Sequence, residues 1–323
     1  YGLIFNTVQA NSVSHALRFA FDCPEILTGS VMAMATLLVI VTGIKGVGRI
    51  MQWMVPVMAL LWVAASLVVS ALNIEQLPDI FTLIMNSAFG WREAGAGVMG
   101  YTLSQALAAG FQRGMFSNEA GMGSTPNAAA AAASWPPHPA AQGIVQMIGV
   151  VVDTLVICTA SAMIVLLAGP VDDEQNVAGI QLVQQALMNL AGGWGAGFVA
   201  LIVILFAFSS IVVNYIYAEN NLIFLHPTAG KSRWLLRGSV VAMVVMGSLL
   251  SLPLVWQLAD VIMALMAITN LTAILLLSPV VLLIARDYLR QRKLGIQPVF
   301  DAARYPDIEA QIAPGAWDDL PRQ

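Results

Sequence analysis

Oxygen-bearing side chains stand in three places in an otherwise apolar chain. Ser117, Asn118 and Glu119 lie together in the run GFQRGMFSNEAGMGSTPNAAAAAAS, which begins at Gly110. Asp153 and Thr154 lie in VVDTLVICTASA, and Ser209 and Ser210 in LFAFSSIVVNY. Carboxylate, amide and hydroxyl oxygens are hard donors, suited to a cation such as sodium. Each group also has a plainer reading. Glu119 can cap a helix start, touch a ligand, or handle an ion or proton. Asp153 can be an ion ligand or relay, or can lock two helices through hydrogen bonds. Paired serines on an apolar helix can bond back to their own backbone. Arg113 can pair with a carboxylate or a carbonyl. Covalent chemistry has no motif to rest on, since the chain holds no GxxxxGK, HExxH or GxSxG. No catalytic residue is therefore assigned. His15, His138 and His226 fall on different segments and Cys23 and Cys158 lie far apart, so no metal set, disulfide framework or cofactor is expected.

Composition dictates the elements that must position these groups. Of the 323 residues, 59% are hydrophobic and 10% charged, with a mean hydropathy of +0.79. Soluble domains carry about 25% charged residues, so a water-covered globule is excluded, and disorder with it. A net charge of −4 without a basic stripe offers nothing to nucleic acid. An all-α membrane protein remains, with lipid as its solvent. A crossing takes about 20 apolar residues. Residues 26–44, 50–72, 198–217, 238–258 and 261–285 qualify without a charge, and 141–168 carries Asp153 alone. Pro253 is expected to end or kink its span. The glycine-rich stretch 94–135 is counted as one broken span, making seven. Before them, Tyr1–Leu17 reads as a helix already under way, carrying Gln9, Asn11 and Ser12, and the start has no signal-peptide layout. The chain is thus expected to be the C-terminal portion of a longer protein, lacking the first helices. Residues 1–290 form the expected transmembrane core and 291–323 a polar cytoplasmic tail, solvated and partly disordered. Leu77–Phe89 and Val177–Leu190 are too short to cross and read as interfacial helices on the outer surface.

Charges orient the spans, because Lys and Arg concentrate on the cytoplasmic side. Lys45 and Arg49, then Lys231, Arg233 and Arg237, then Arg286, Arg290, Arg292 and Lys293 mark one side. Asp22, Glu25, Glu75, Asp79, Glu93, Asp172, Asp173, Glu174 and Asp260 mark the other, with Arg18 and Arg92 among them. The signs alternate only if 94–135 crosses once, from outside to inside.

Within that crossing, glycines 114, 121 and 123 and Pro126 concentrate the helix penalties, about 1 kcal/mol for each glycine and about 3 for proline. Two half-helices joined by an unwound stretch are the economical result. Non-helical backbone at membrane depth is tolerated only where it is enclosed or lines a cavity. Freed carbonyls there coordinate cations, and half-helix N-termini attract anions.

GFQRGMFSNEAGMGSTPNAAAAA resembles the signature segment of the alanine or glycine:cation symporter family. YGLIFNTVQANSV at the start, VVDTLVICTASA and LFAFSSIV agree with it. The resemblance implies a leucine-transporter-type inverted-repeat helix bundle with a broken helix six, in a bacterial inner membrane, C-terminus cytoplasmic. It implies sodium-coupled symport of a small neutral amino acid (alanine, glycine or similar) by alternating access. An uncoupled channel and a membrane-embedded enzyme using Glu119 or Asp153 are the rival readings. Phe116, Ser117, Asn118, Glu119, Ala120 and Gly121 would surround the amino acid, with Gln9 near it. Ser209 and Ser210 would hold sodium, and Asp153 and Thr154 would belong to a second ion site. Relatives carry Trp where this chain has Asn214; an amide there enlarges and polarises the cavity, arguing against alanine as sole substrate. Oligomeric state is left open.

Overall fold

The computed structural model describes residues 1–89, 99–119, 121–169, 178–226 and 230–312. Among the described residues every regular element is helical. In chain order the helices are α1 (Ile4–Phe21), α2 (Glu25–Ile40), α3 (Gly43–Leu72), α4 (Leu77–Ala88), α5 (Met99–Asn118), α6 (Ser124–Ala131) and α7 (Pro139–Val152). They continue with α8 (Thr159–Leu167), α9 (Ile180–Ala191), α10 (Trp194–Leu225), α11 (Gly230–Leu249), α12 (Leu252–Lys293) and α13 (Pro306–Glu309). A π-helical turn, Asp153–Cys158, joins α7 to α8.

Four of these stretches are long and apolar enough to cross a membrane: Gly46–Leu72, Pro139–Leu167, Trp194–Leu225 and Leu252–Lys293. The remaining expected spans differ in their ends, for local reasons. Gly43 takes a left-handed φ of +73°, so α2 stops at Ile40 and α3 begins seven residues before the expected Ile50. That leaves α2 at 16 residues, roughly 24 Å against the roughly 30 Å of hydrocarbon. The break expected near Asp260 lies instead at Leu250–Ser251. Pro253 is the second residue of α12, where a missing N–H breaks no helical bond. Asp260 is consequently inside a helix and not in a loop.

The chain divides into two compact units. The first comprises Tyr1–Ser117 and Thr154–Ile262, and α1 is its central element. Phe5, Val8, Val13 and Ala16 are buried on α1, but so are Asn6, Thr7, Asn11 and Ser14. These polar groups clamp helices together. Asn11 Nδ2 donates to the carbonyls of Gly247 (3.0 Å) and Leu250 (2.6 Å), and Ser14 donates to that of Ser248 (3.0 Å). A Cβ on Gly247 would lie 2.5 Å from the Thr7 Cα, so α11 meets α1 through a bare backbone. The short helices α4 and α9 have the expected length, yet α9 is not merely superficial. Gln184, Ala186 and Leu187 are buried, and Gln184 Nε2 donates to the carbonyls of Ala16 and Ala196, both at 3.0 Å.

The second unit comprises Asn118–Asp153 and Met263–Gln323. Here the expected solvated tail is partly a docked segment. The Phe300 N–H bonds to the Pro137 carbonyl (2.9 Å), and Phe300 and Ile308 are buried. Val299, Phe300 and Ile308 stand out among polar neighbours in the sequence and carry the docking. Residues 313–323 lie outside the described residues.

Candidate binding site at the interrupted helix

The helical stretch between residues 99 and 131 is interrupted where the glycine pattern places it. α5 ends at Asn118, Glu119 has φ +50°, Gly121 φ +83° and Gly123 φ +93°, and α6 begins at Ser124. A non-glycine residue at positive φ is uncommon, so Glu119 is held there by its surroundings. Its carbonyl accepts the Met122 N–H (3.2 Å) and the Ser124 hydroxyl (3.3 Å). The N-cap residue of α6 is Gly123. Ala120 lies outside the described residues.

In the first unit, the last turns of α5 are held by aromatic packing. Phe116 stacks on Phe5 of α1, with ring centroids 5.4 Å apart and planes 6° apart, and meets Trp256 of α12 at 4.9 Å. One turn earlier, the Arg113 guanidinium lies 4.1 Å over the Trp256 ring and pairs with Asp260 through two contacts of 3.2 and 3.4 Å. Arg113 thus takes a carboxylate partner. Ser117 Oγ lies 3.1 Å from Cys158 Sγ in the π-helical turn. Gln9, one turn along α1 from Phe5, is half-buried on the same side of that helix.

The other assigned residues sit apart in the chain. Asn214 is buried on α10 and donates to Asn6 Oδ1 (3.1 Å), while Asn6 Nδ2 donates to the Gly2 carbonyl (3.0 Å). Ser209 is buried and bonds back to the Phe206 carbonyl (2.8 Å); Ser210 beside it is half-buried. Asp153 and Thr154 open the π-helical turn, where the Thr159 hydroxyl donates to the Thr154 carbonyl (3.3 Å).

Sequence reasoning missed two groups. Asn6 is one, legible only as an amide on an apolar helix face. The other is a buried cluster: Tyr215 donates to Glu219 (2.8 Å), Arg237 Nε donates to Tyr215 Oη (3.0 Å), and Arg237 lies 3.7 Å from Glu219. Glu219 belongs to α10. The i, i+4 spacing of Tyr215 and Glu219 was the available signal.

The profile described as the sodium:alanine symporter family matches residues 1–302. The chain belongs to that family. It is 65% identical over 323 residues to the transporter YaaJ of Escherichia coli K12, covering 100% of this chain and 68% of that one. It is 43% identical to the amino-acid carrier protein AlsT of Bacillus subtilis, covering 99% and 66%, and 38% identical to the sodium/alanine symporter AgcS of Methanococcus maripaludis, covering 86% and 60%. The chain therefore spans between 60% and 68% of the length of these relatives. The family consists of transporters, which removes the enzyme reading of Glu119 and Asp153.

Proposed function

We propose that this protein works as a sodium-coupled importer of small neutral amino acids by alternating access, in a leucine-transporter-type bundle whose sixth helix is α5 and α6. One observation carries the reading: α5 and α6 are separated by positive-φ backbone at Glu119, Gly121 and Gly123 inside the family's matched region. Such a stretch offers carbonyls to an ammonium group or a cation and N–H groups to a carboxylate. Phe116 would meet the apolar side chain of the substrate. Ser117, Asn118, Glu119, Ala120 and Gly121 would line the interruption, and Gln9 and Asn214 would complete the contacts. Ser209 and Ser210 would bind sodium, with Asp153 and Thr154 at a second ion site. The Arg113–Trp256–Asp260 group, one turn outside Phe116, would act as the outer closure. Sodium would order the interruption and raise the population of the substrate-competent state. The C-terminus would face the cytoplasm of a bacterial inner membrane.

The test is uptake and counterflow of labelled alanine, glycine, serine and glutamine by the full-length protein in proteoliposomes. Saturable, sodium-stimulated uptake with exchange of preloaded substrate is expected. Non-saturating flux would identify a channel and end the carrier reading.

A further inference from the structure

His138 is completely buried, and both its ring nitrogens are engaged. Nδ1 accepts the Ala140 N–H at the start of α7 (3.2 Å), so the proton resides on Nε2, which faces Asp287 Oδ2 at 3.3 Å. That same oxygen accepts from Gln291 Nε2 (2.8 Å). Gln291 in turn binds both backbone groups of Val299: its Nε2 donates to the carbonyl (3.0 Å) and its Oε1 accepts the N–H (2.9 Å). The next N–H, of Phe300, bonds to Pro137, the neighbour of His138. One imidazole, one carboxylate and one amide thus connect the 132–138 connection, the end of α12 and the tail.

The groups facing the imidazole are few. Asp287 and the ring of Tyr288 (5.1 Å) come from α12, and the Phe300 ring (5.7 Å) from the tail. Tyr305 of the tail hydrogen-bonds the Asp287 carboxylate, with Arg290 and Arg304 close enough to act on it. Burial holds His138 below the ordinary imidazole range, against the opposing pull of Asp287.

We propose that residues 297–309 form a latch over the connection between α6 and α7, and that protonation of His138 opens it. A second proton must go to Nδ1, where it would confront the Ala140 N–H, donor against donor. It would also put a cation at the N-terminus of α7, where the helix dipole disfavours it. Opening hydrates the imidazolium and releases the Asp287–Gln291–Val299 chain with it. Because the closed state disfavours the proton, its advantage is complete above the ordinary imidazole pKa of about 6.5. Below that it shrinks, by up to about tenfold per pH unit, until the closed-state pKa is reached. The latch stands on geometry alone. Its consequence for transport rests on the reading above: residues 132–137 tether α6, so an acidified cytoplasm would loosen the inner half-helix.

Hydrogen exchange on the full-length protein in nanodiscs decides the matter. The Val299 and Phe300 amides, corrected for intrinsic exchange rate, should lose about tenfold or more of their protection between about pH 7.5 and 5. H138Q should abolish that pH dependence. Q291A, which leaves the imidazole in place, should unprotect both amides at every pH and move the His138 titration, followed by NMR, up toward its ordinary value. Constant protection in the wild type, or an unmoved His138 titration in Q291A, would overturn the latch. Sodium-driven uptake at varied internal pH reads the consequence separately: a wild type that exchanges as expected but takes up nothing sinks the transport reading alone.

Discussion

Phe116 is packed against two rings, Phe5 and Trp256, and in the proposed function it also meets the substrate side chain. F116A is expected to weaken substrate affinity by tenfold or more, about 1.4 kcal/mol, as read by the half-saturating substrate concentration. Arg113 and Asp260 have side chains 47% and 29% exposed, so their pair contributes at most about 1 kcal/mol to stability. R113Q should therefore leave the melting temperature nearly unchanged and lower the uptake rate; a large fall in melting temperature would instead make the pair structural. Ser209 donates its proton to the Phe206 carbonyl, which leaves the oxygen lone pairs for a cation. The double change S209A with S210A is expected to raise the half-saturating sodium concentration about tenfold. Unchanged sodium dependence would remove the serines from the ion site. At this scale the run from Met115 to Pro126 was legible because its backbone chemistry is local. Asn6 was not, because an amide in an apolar helix names no partner; that partner, Asn214, lies 208 positions away.

Elements were legible where a single residue fixes their ends and obscure where apolar stretches merely continue. The Gly43 turn and the Leu250–Ser251 break shifted helix boundaries by several residues, since hydropathy alone does not register a left-handed glycine or a proline tolerated in a first turn. Pairing between helices is harder still to read, and the contact of α10 with α11 shows why. Tyr215, Glu219 and Arg237 are ordinary residues in sequence but form a buried charged group in the fold, with Arg237 and Glu219 side chains only 14% and 10% exposed. Removing one partner of such a pair strands the other, at about 3–5 kcal/mol. R237A should thus lower the melting temperature in detergent strongly, and adding E219Q should recover much of the loss by removing the stranded charge. A double variant no more stable than R237A would show that the pair holds nothing together.

Across the whole molecule, apolar side chains face outward, as with Leu60 (69% exposed), Phe224 (85%), Leu275 (74%) and Leu276 (76%). Apolar exposure on this scale needs a lipid solvent, but it is silent about which end faces which compartment. Orientation has to come from the charges that interrupt it. Lys231 at the start of α11 and Lys293 at the end of α12 belong to the basic set, whereas Glu75 precedes α4 and Asp79 lies in its first turn. Positive charge is retained on the cytoplasmic side during insertion, and acidic residues contribute little, so the lysines decide the assignment. With Cys23 and Cys158 replaced, single cysteines at Gln76, Lys231 and Lys293, all exposed, convert that inference into labelling. A membrane-impermeant maleimide should modify Q76C in intact cells and reach K231C and K293C only after permeabilisation. The reverse pattern would invert the bundle, place the docked tail outside the cell and deny His138 any exposure to cytoplasmic pH. Labelling of K231C and K293C from opposite sides would be more damaging, because it would require an odd number of crossings between the start of α11 and the end of α12 in place of the two assumed here. The location of two lysines thus carries the direction of the proposed transport and the compartment that the latch could sense.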